Sequence, residues 1–440
     1  MTTRAPTWSG KSESRAVEVL RRSVVPVLLV VVTPPAVILL WIACTYLDGS
    51  LLALASADGL RAVRDHFPCP TWRAAACVLV FAAFEAVLLR ALPGRIHEGP
   101  VTPTGNRPRY KLNGVLAWFV TMAAFFGASL GLGWFSPGIV FDLFGEILVT
   151  LCSSCFVFCW FLYWKGIHRP STTDAGSSGN VAMDYFWGVE LHPSLLGVNL
   201  KQLFNCRIGM MGWSVTVLSF TARQWLDLGH VSTGMLVSVG LQTVYILKFF
   251  YWEDGYFGSL DIMHDRFGYY ICWGVIAWIP GVYTIHAQYL TKHPSELSTP
   301  WAVGLFGFGL LAIWANYDAD AQRQRVRATK GATTVWGKPP ELIRASYTTA
   351  DGEQHESLLL VSGWWGVARH VHYVSELAIA AAFSLPAGFH RFLPYFYLMF
   401  LTILLVDRAT RDDKRCREKY GRFWQAYCAR VPYKIVPLVY

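Results

Sequence analysis

Three short stretches in the last third of the 440-residue chain carry side chains suited to gripping a large, anionic, aromatic molecule. Arg323 and Arg327 are four positions apart, so on a continuous helix they share a face and could pinch a phosphate between two guanidinium groups. Next comes Ser362-Gly-Trp-Trp-Gly-Val-Ala-Arg-His-Val-His-Tyr373. Its glycines permit close approach of backbone, Trp364 and Trp365 offer flat surfaces, and Arg369, His370 and Tyr373 add polar groups at helical spacing. The third stretch runs from Asp407 to Cys416 and on through Lys419-Tyr420-Gly421 to Trp424-Gln-Ala-Tyr427. Arg408 and Asp412 fall on one helical face there, the first able to hold a phosphate and the second an amide or a ribose hydroxyl. Each stretch alone also reads as a membrane flank or an interfacial aromatic belt. Three of them in neighbouring segments fit one site.

Other chemistries find less to work with. A membrane di-iron centre needs many imidazoles at HxxxH or HxxHH spacing, and of the twelve histidines only His370 and His372 are close neighbours. No metal site is expected. There is no GxGxxG after a strand and no GxxxxGK[ST], so any dinucleotide is held without a Rossmann or P-loop domain. The ten cysteines lack framework spacing, and Cys44, Cys77, Cys152, Cys155, Cys159 and Cys272 lie in apolar runs, where a thiol packs as a small hydrophobe. Cys152-Ser-Ser-Cys155 has redox spacing but no soluble βαβ context around it.

The elements that position these residues must live in lipid. The chain is 54% hydrophobic, only 15% charged, and has a mean hydropathy of +0.35; an ordinary soluble chain carries about 25% charge. The expected class is an all-α polytopic membrane protein. Apolar runs at about 24–47, 73–92, 113–135, 139–164, 208–226, 232–252, 267–290, 300–317, 371–389 and 392–407 predict ten transmembrane helices, the first kinked at Pro34-Pro35. Lys248, Asp261, His264 and Asp265 interrupt the sixth and seventh, which marks either a cavity or a misdrawn boundary. If spans alternate, the segment before Ser23 and the basic loops after spans two, four, eight and ten share one side, which the positive-inside rule makes cytoplasmic. The net charge of +9 is thereby explained by topology rather than nucleic acid. Residues 343–360, around Asp351-Gly352, read as a small cytoplasmic β-hairpin. The tail from Arg408 onward mixes charge with Tyr420, Phe423, Trp424, Tyr427 and Tyr433, a composition that packs on something as a cytoplasmic cap. The expected organisation is a cytoplasmic segment 1–23, helices with loops over 24–290, and a C-terminal cofactor-binding half over 291–440.

With these residues in place the chain resembles the sterol reductase family of the endoplasmic reticulum, which includes delta-14 and delta-7 reductases and the lamin B receptor. The likeness is carried by Leu359-Leu-Val-Ser-Gly-Trp-Trp-Gly-Val-Ala-Arg-His370, Arg411-Asp-Asp-Lys-Arg-Cys416, Lys419-Tyr-Gly421 and Val431-Pro-Tyr433. Earlier matches are Gly99-Pro-Val-Thr-Pro-Thr-Gly105 with Tyr110 and Asn113-Gly114, Ser178-Gly-Asn180 with Gly188-Val-Glu-Leu-His-Pro193, and Asp261-Ile-Met-His-Asp265. Trp336-Gly-Lys-Pro339 and Ser346-Tyr-Thr-Thr-Ala-Asp-Gly352 are similar to the plant-type delta-7 branch. The resemblance implies ten spans, an endoplasmic reticulum membrane (or a bacterial inner membrane), cytosolic termini, and NADPH in a C-terminal pocket facing the cytosol. It also implies a sterol substrate arriving laterally from among the membrane lipids, with other sterol-biosynthesis enzymes as partners. Carried over residue by residue, it assigns the cofactor's adenosine phosphates to Arg323 and Arg327, its middle to Trp365, Arg369, His370 and Tyr373, and the nicotinamide end to Arg408, Asp412 and Tyr420. Arg323 stands where many relatives have Lys, and Lys248 follows Tyr245 where many delta-14 members have an acid.

The implied reaction is reduction of the C7–C8 double bond of a 5,7-diene sterol by protonation plus hydride transfer. Candidate proton donors are Tyr245 and Tyr427, relayed through Asp412; a phenol of pKa about 10 donates well only when its surroundings lower that value. Alternatives are a delta-14 reductase, a membrane methyltransferase using S-adenosylmethionine, which would leave the basic pair idle, and a non-catalytic sterol-binding protein. The last would normally carry an added N-terminal domain, whereas about 23 residues precede the first span.

Overall fold

The computed structural model describes residues 15–102, 104–348 and 354–440. It is mostly helical, with three two-stranded antiparallel ribbons. Among the described residues eight helices are long and apolar enough to cross a membrane: Ala16–Tyr46, Trp72–Ala91, Gly114–Gly131, Phe144–His168, Thr233–Tyr251, Tyr269–Lys292, Thr299–Ala328 and Leu393–Tyr420. The protein is a polytopic membrane protein. The other two expected spans are helical but differ from the apolar type. Residues 200–228 form a continuous helical stretch that buries Lys201, Gln202, Asn205, Arg207 and Gln224, and these polar side chains depress its hydropathy. Val371–Ala387 is apolar but shorter. Asp261, His264 and Asp265 fall between Thr233–Tyr251 and Tyr269–Lys292, near the short helix Leu260–Met263. The expected bounds 232–252 and 267–290 already left these three between the two helices, and only Lys248 lies within a span.

The expected hairpin is present as Leu342–Thr348 paired with Gln354–Leu360, in register from Leu342↔Leu360 to Thr348↔Gln354; Asp351-Gly352 lies outside the described residues. A second ribbon, Arg95–Glu98 against Arg109–Leu112, gave no alternation strong enough to be read from sequence.

The described chain divides into two compact units, one up to residue 296 with 387–394, and the other residues 297–386 with 395–440. In the first, the family motifs turn out to be loop locks. Asp174 accepts hydrogen bonds from Thr102 at 2.8 Å, Thr104 at 2.6 Å and Asn106 at 2.8 Å. Glu190 pairs with Lys165 at 2.8 Å. Gly188 has φ +99°, and a Cβ there would meet the backbone nitrogen of Gly268 at 2.6 Å, so the two glycines let backbone cross backbone.

The most demanding feature is a charge pair with no access to water. Arg207, fully buried, binds Glu253, itself 2% exposed, and donates to Asn113 Oδ1 at 2.8 Å. Desolvating two ions costs several kcal/mol each, offset only when both are present and hydrogen-bonded. Glu253→Ala strands the guanidinium and is expected to cost about 3–5 kcal/mol, read as a lowered apparent Tm of the detergent-solubilised protein. The double variant R207M/E253L should recover part of that loss. An E253A protein as stable as the parent would show that the pair carries no such weight.

Candidate active site

Thr299–Ala328 has 30 residues, about 45 Å at 1.5 Å per residue, against a hydrocarbon layer of about 30 Å. Its last turns therefore outrun the membrane core and carry Asp318, Asp320, Arg323 and Arg327 into the polar zone. The helix closes at Lys330 and Gly331, with Gly331 N–H donating to Val326 C=O at 2.9 Å and φ +89° at the glycine. This is the left-handed C-terminal stop that favours glycine.

The stretch 362–367 is sewn onto that helix. Gly363 has φ +63°, and a Cβ there would lie 2.3 Å from Gln322 Oε1 and 2.5 Å from Val335 Cγ1. Because nothing larger fits, the chain comes close enough for Trp364 N–H to donate to Gln322 Oε1 at 3.0 Å. Trp364 Nε1 reaches Asp318 Oδ2 at 2.7 Å and Trp365 Nε1 the Ala319 carbonyl at 2.7 Å. Trp365 is buried and Arg323 lies over its ring at 4.0 Å, with Nη2 on Asp320 Oδ1 at 2.9 Å. Arg323 Nε is buried and makes no hydrogen bond among the described residues. Arg327, one turn on, is solvent-exposed, yet Arg323, Tyr420 and Tyr427 lie near enough to act on its charge.

Phe396–Tyr420 is the second long helix of this unit and holds Arg408 and Asp412 one turn apart, both half-buried. Asp412 Oδ2 is 3.7 Å from His370 Nε2. The imidazole is buried, stacked on Tyr373 with centroids 5.0 Å apart and planes 9° from parallel. Burial, reinforced by His372, lowers the His370 pKa to about 4 against the opposing pull of Asp412. It is therefore a neutral ring at pH 7. Tyr420 donates to Ser357 Oγ at 3.3 Å and meets Tyr347 edge-on at 5.6 Å, which ties the hairpin to the helix.

Two expected site residues face elsewhere. Arg369 donates from Nη1 to the carbonyls of Val431 at 2.7 Å and Pro432 at 2.9 Å, while its N–H bonds Tyr433 C=O and that of His370 bonds Lys434 C=O. It anchors the chain terminus beneath the site. Tyr427 is buried in the core formed by Ala345, Leu359, Trp424 and Val431, and its hydroxyl donates to the Trp365 carbonyl at 3.4 Å. Burial raises its pKa, which opposes release of its proton. Tyr245 belongs to the first unit, on Thr233–Tyr251, with Lys248 Nζ 5.4 Å from its ring centroid and Trp213 at 5.8 Å. Arg323 and Tyr427 each contact Trp365, Tyr373 and Asp412 each contact His370, and the His372 ring meets Trp365, His370 and Tyr373; Arg327, Arg408 and Tyr420 stand on the same two helices. Sequence reading missed Asp318 and Gln322. Their i,i+4 spacing before the Arg323–Arg327 pair was a signal of one more polar stripe on that face.

Comparison with known proteins gives the constellation a context. The ergosterol biosynthesis ERG4/ERG24 family matches residues 57–440. The chain is similar to the 7-dehydrocholesterol reductase of Arabidopsis thaliana, 48% identical over 414 residues that take in 92% of this chain and 95% of that one. It is 36% identical over 417 residues to the Delta(14)-sterol reductase of Methylotuvimicrobium alcaliphilum, covering 94% of each chain. The 7-dehydrocholesterol reductase of Xenopus laevis is 36% identical over 391 residues, 86% of this chain and 83% of the relative. A family match over most of the length, with relatives this similar along nearly the whole of both chains, places the protein in the ergosterol biosynthesis ERG4/ERG24 family.

Proposed function

We propose that this protein is an NADPH-dependent sterol reductase that saturates the C7–C8 double bond of a 5,7-diene sterol such as 7-dehydrocholesterol. One observation carries the reading: a chain 48% identical to a relative named 7-dehydrocholesterol reductase gathers two cations, an indole, a neutral imidazole and a carboxylate in one folded unit. In this reading residues 291–440 form the cofactor-binding half, the site and both termini face the cytosol, and the sterol reaches an endoplasmic reticulum enzyme from the bilayer.

The donor set fits a phosphorylated nicotinamide. Arg327 is reachable from solvent and Arg323 retains a buried Nε with no hydrogen bond, which suits charge-assisted bonds to phosphate. Trp365, His370 and Tyr373 would line its middle, and Arg408, Asp412 and Tyr420 its far end. When bound, NADPH would supply the hydride that ends on carbon 7.

The remaining demand is a proton. Protonating carbon 8 of a 5,7-diene leaves positive charge at carbon 7 that spreads to carbon 5 through the second double bond, relief that an isolated alkene lacks. The side chains need only deliver that proton in a site closed to water. Asp412, 24% exposed, can reload from solvent, and His370 Nε2, 3.7 Å away and buried, can pass the proton inward. Of the two candidate phenols, Tyr427 is the poorer donor, because its hydroxyl is engaged with backbone and its ionisation is suppressed by burial; Tyr245 is the other candidate. Tyr427 acts instead as a positioning residue for Trp365.

Membranes from yeast expressing the protein should convert ergosta-5,7-dienols and 7-dehydrocholesterol to 5-ene sterols with NADPH and poorly with NADH. A sterol profile changed only at C14 would favour the delta-14 reaction of the Methylotuvimicrobium relative. Arg323→Ala and Arg327→Ala should each raise KM for NADPH about 10- to 100-fold and leave KM for NADH nearly unchanged; equal rates with both cofactors would remove the phosphate role.

Tyr245→Phe and Asp412→Asn should each lower kcat by about 100-fold or more with little change in KM for the sterol. Tyr427→Phe should act mainly on cofactor KM. If Tyr427→Phe alone abolishes turnover while Tyr245→Phe is silent, the two tyrosines exchange roles.

A further inference from the structure

A polar cavity lies in the first unit, where spanning helices end. Its volume is about 470 Å³, and it is lined by Asp48, Tyr289, His293, His390 and Arg391. Asp48 stands two residues beyond the span Ala16–Tyr46, His293 one beyond Tyr269–Lys292, and Arg391 two before Leu393–Tyr420. Three helix ends fix its depth at the boundary between hydrocarbon and water, the level at which lipid headgroups lie. Phe389 and Phe392, which bracket His390 and Arg391, are 80% and 52% exposed, as interfacial aromatics beside lipid tails would be.

The cavity is built rather than incidental. Arg391 commits Nε to the Asp48 carbonyl at 2.9 Å, which leaves its two Nη groups for a ligand. Asp48 holds φ +49°, a left-handed conformation uncommon for a residue other than glycine. The next residue, Gly49, has φ +72°, and a Cβ there would strike Tyr289 at 2.7 Å. Tyr289 stacks on His293 with centroids 4.4 Å apart. The Asp48 carboxylate is 78% exposed and 3.9 Å from His293 Nε2. The cavity thus presents the Arg391 guanidinium and the Asp48 carboxylate beside an aromatic wall.

From that pairing we propose that the cavity binds a zwitterionic phosphoester headgroup, its phosphate on Arg391 with the His390 and His293 rings, and its ammonium or choline on Asp48 and the face of Tyr289. A purely anionic headgroup would meet the Asp48 carboxylate uncompensated. Phosphatidylcholine or phosphatidylethanolamine supplies the chemistry from the bilayer, and phosphocholine supplies it from water.

Native mass spectrometry of the purified full chain, titrated with dioleoylphosphatidylcholine, dioleoylphosphatidylglycerol or phosphocholine, tests this. Phosphatidylcholine adducts should exceed phosphatidylglycerol adducts and weaken about tenfold or more in Arg391→Lys, His390→Ala and Asp48→Asn. Asparagine tolerates the left-handed backbone at position 48, and His390 lies on an exposed loop, so the last two variants probe binding without breaking the fold. Phosphocholine binding as tightly as the lipid would support the headgroup chemistry and assign it to a soluble ester. Equal binding of phosphatidylglycerol, stronger binding to D48N, or adducts indifferent to all three substitutions would overturn the proposal.

Discussion

The C-terminal unit depends on how closely residues 362–365 approach the helix Thr299–Ala328. At Gly363 the space left beside Gln322 and Val335 is smaller than a methyl group, and the positive φ suits glycine alone. That approach brings three hydrogen bonds within reach: Trp364 to Gln322 and Asp318, and Trp365 to Ala319. These in turn fix the indole on which Arg323 rests. His370 then follows at a set distance along the chain and meets Asp412 from the other long helix. A side chain at 363 would displace the whole sequence of contacts, although residue 363 itself carries no functional group.

Much of this was legible because helical spacing survives from sequence to structure. Arg323 with Arg327, and Arg408 with Asp412, are i,i+4 pairs on helices that run unbroken through both positions, so their shared faces followed from the number 3.6 alone. The hairpin within 343–360 was legible for the matching reason, a period of two. Partner choice was not. Arg369 and Arg323 look alike in sequence, but the first spends its guanidinium on the carbonyls of residues 431 and 432, some 60 positions away. Tyr427 likewise reads as an available phenol until its burial against the hairpin is known. The apolar run expected at 208–226 stopped short of the helical stretch 200–228 for a related reason, since Lys201 and Arg207 precede it in sequence while the fold has partners for both.

Those partners show how the first unit tolerates charge inside an apolar protein. Lys201, fully buried, donates to the carbonyls of Ile262 and Asp265, so an ammonium closes the loop that holds the Asp261–Asp265 motif. Arg207 answers Glu253, and Lys165 answers Glu190. Each pair joins segments far apart in sequence, and none is favourable unless both members arrive. Such pairs specify one arrangement of helices where apolar packing alone would accept several.

The same reasoning explains why an arginine suits position 323. A guanidinium is flat and delocalised, so it can lie on an indole while its edge still forms an ion pair; an ammonium is a point charge that serves one partner at a time. Here the face of Arg323 is on Trp365 at 4.0 Å and one edge is on Asp320 at 2.9 Å. Held on two sides, the group keeps little conformational freedom to lose. The cost is that Trp365 is already covered on the face Arg323 occupies. The indole orients the cation that lies over it.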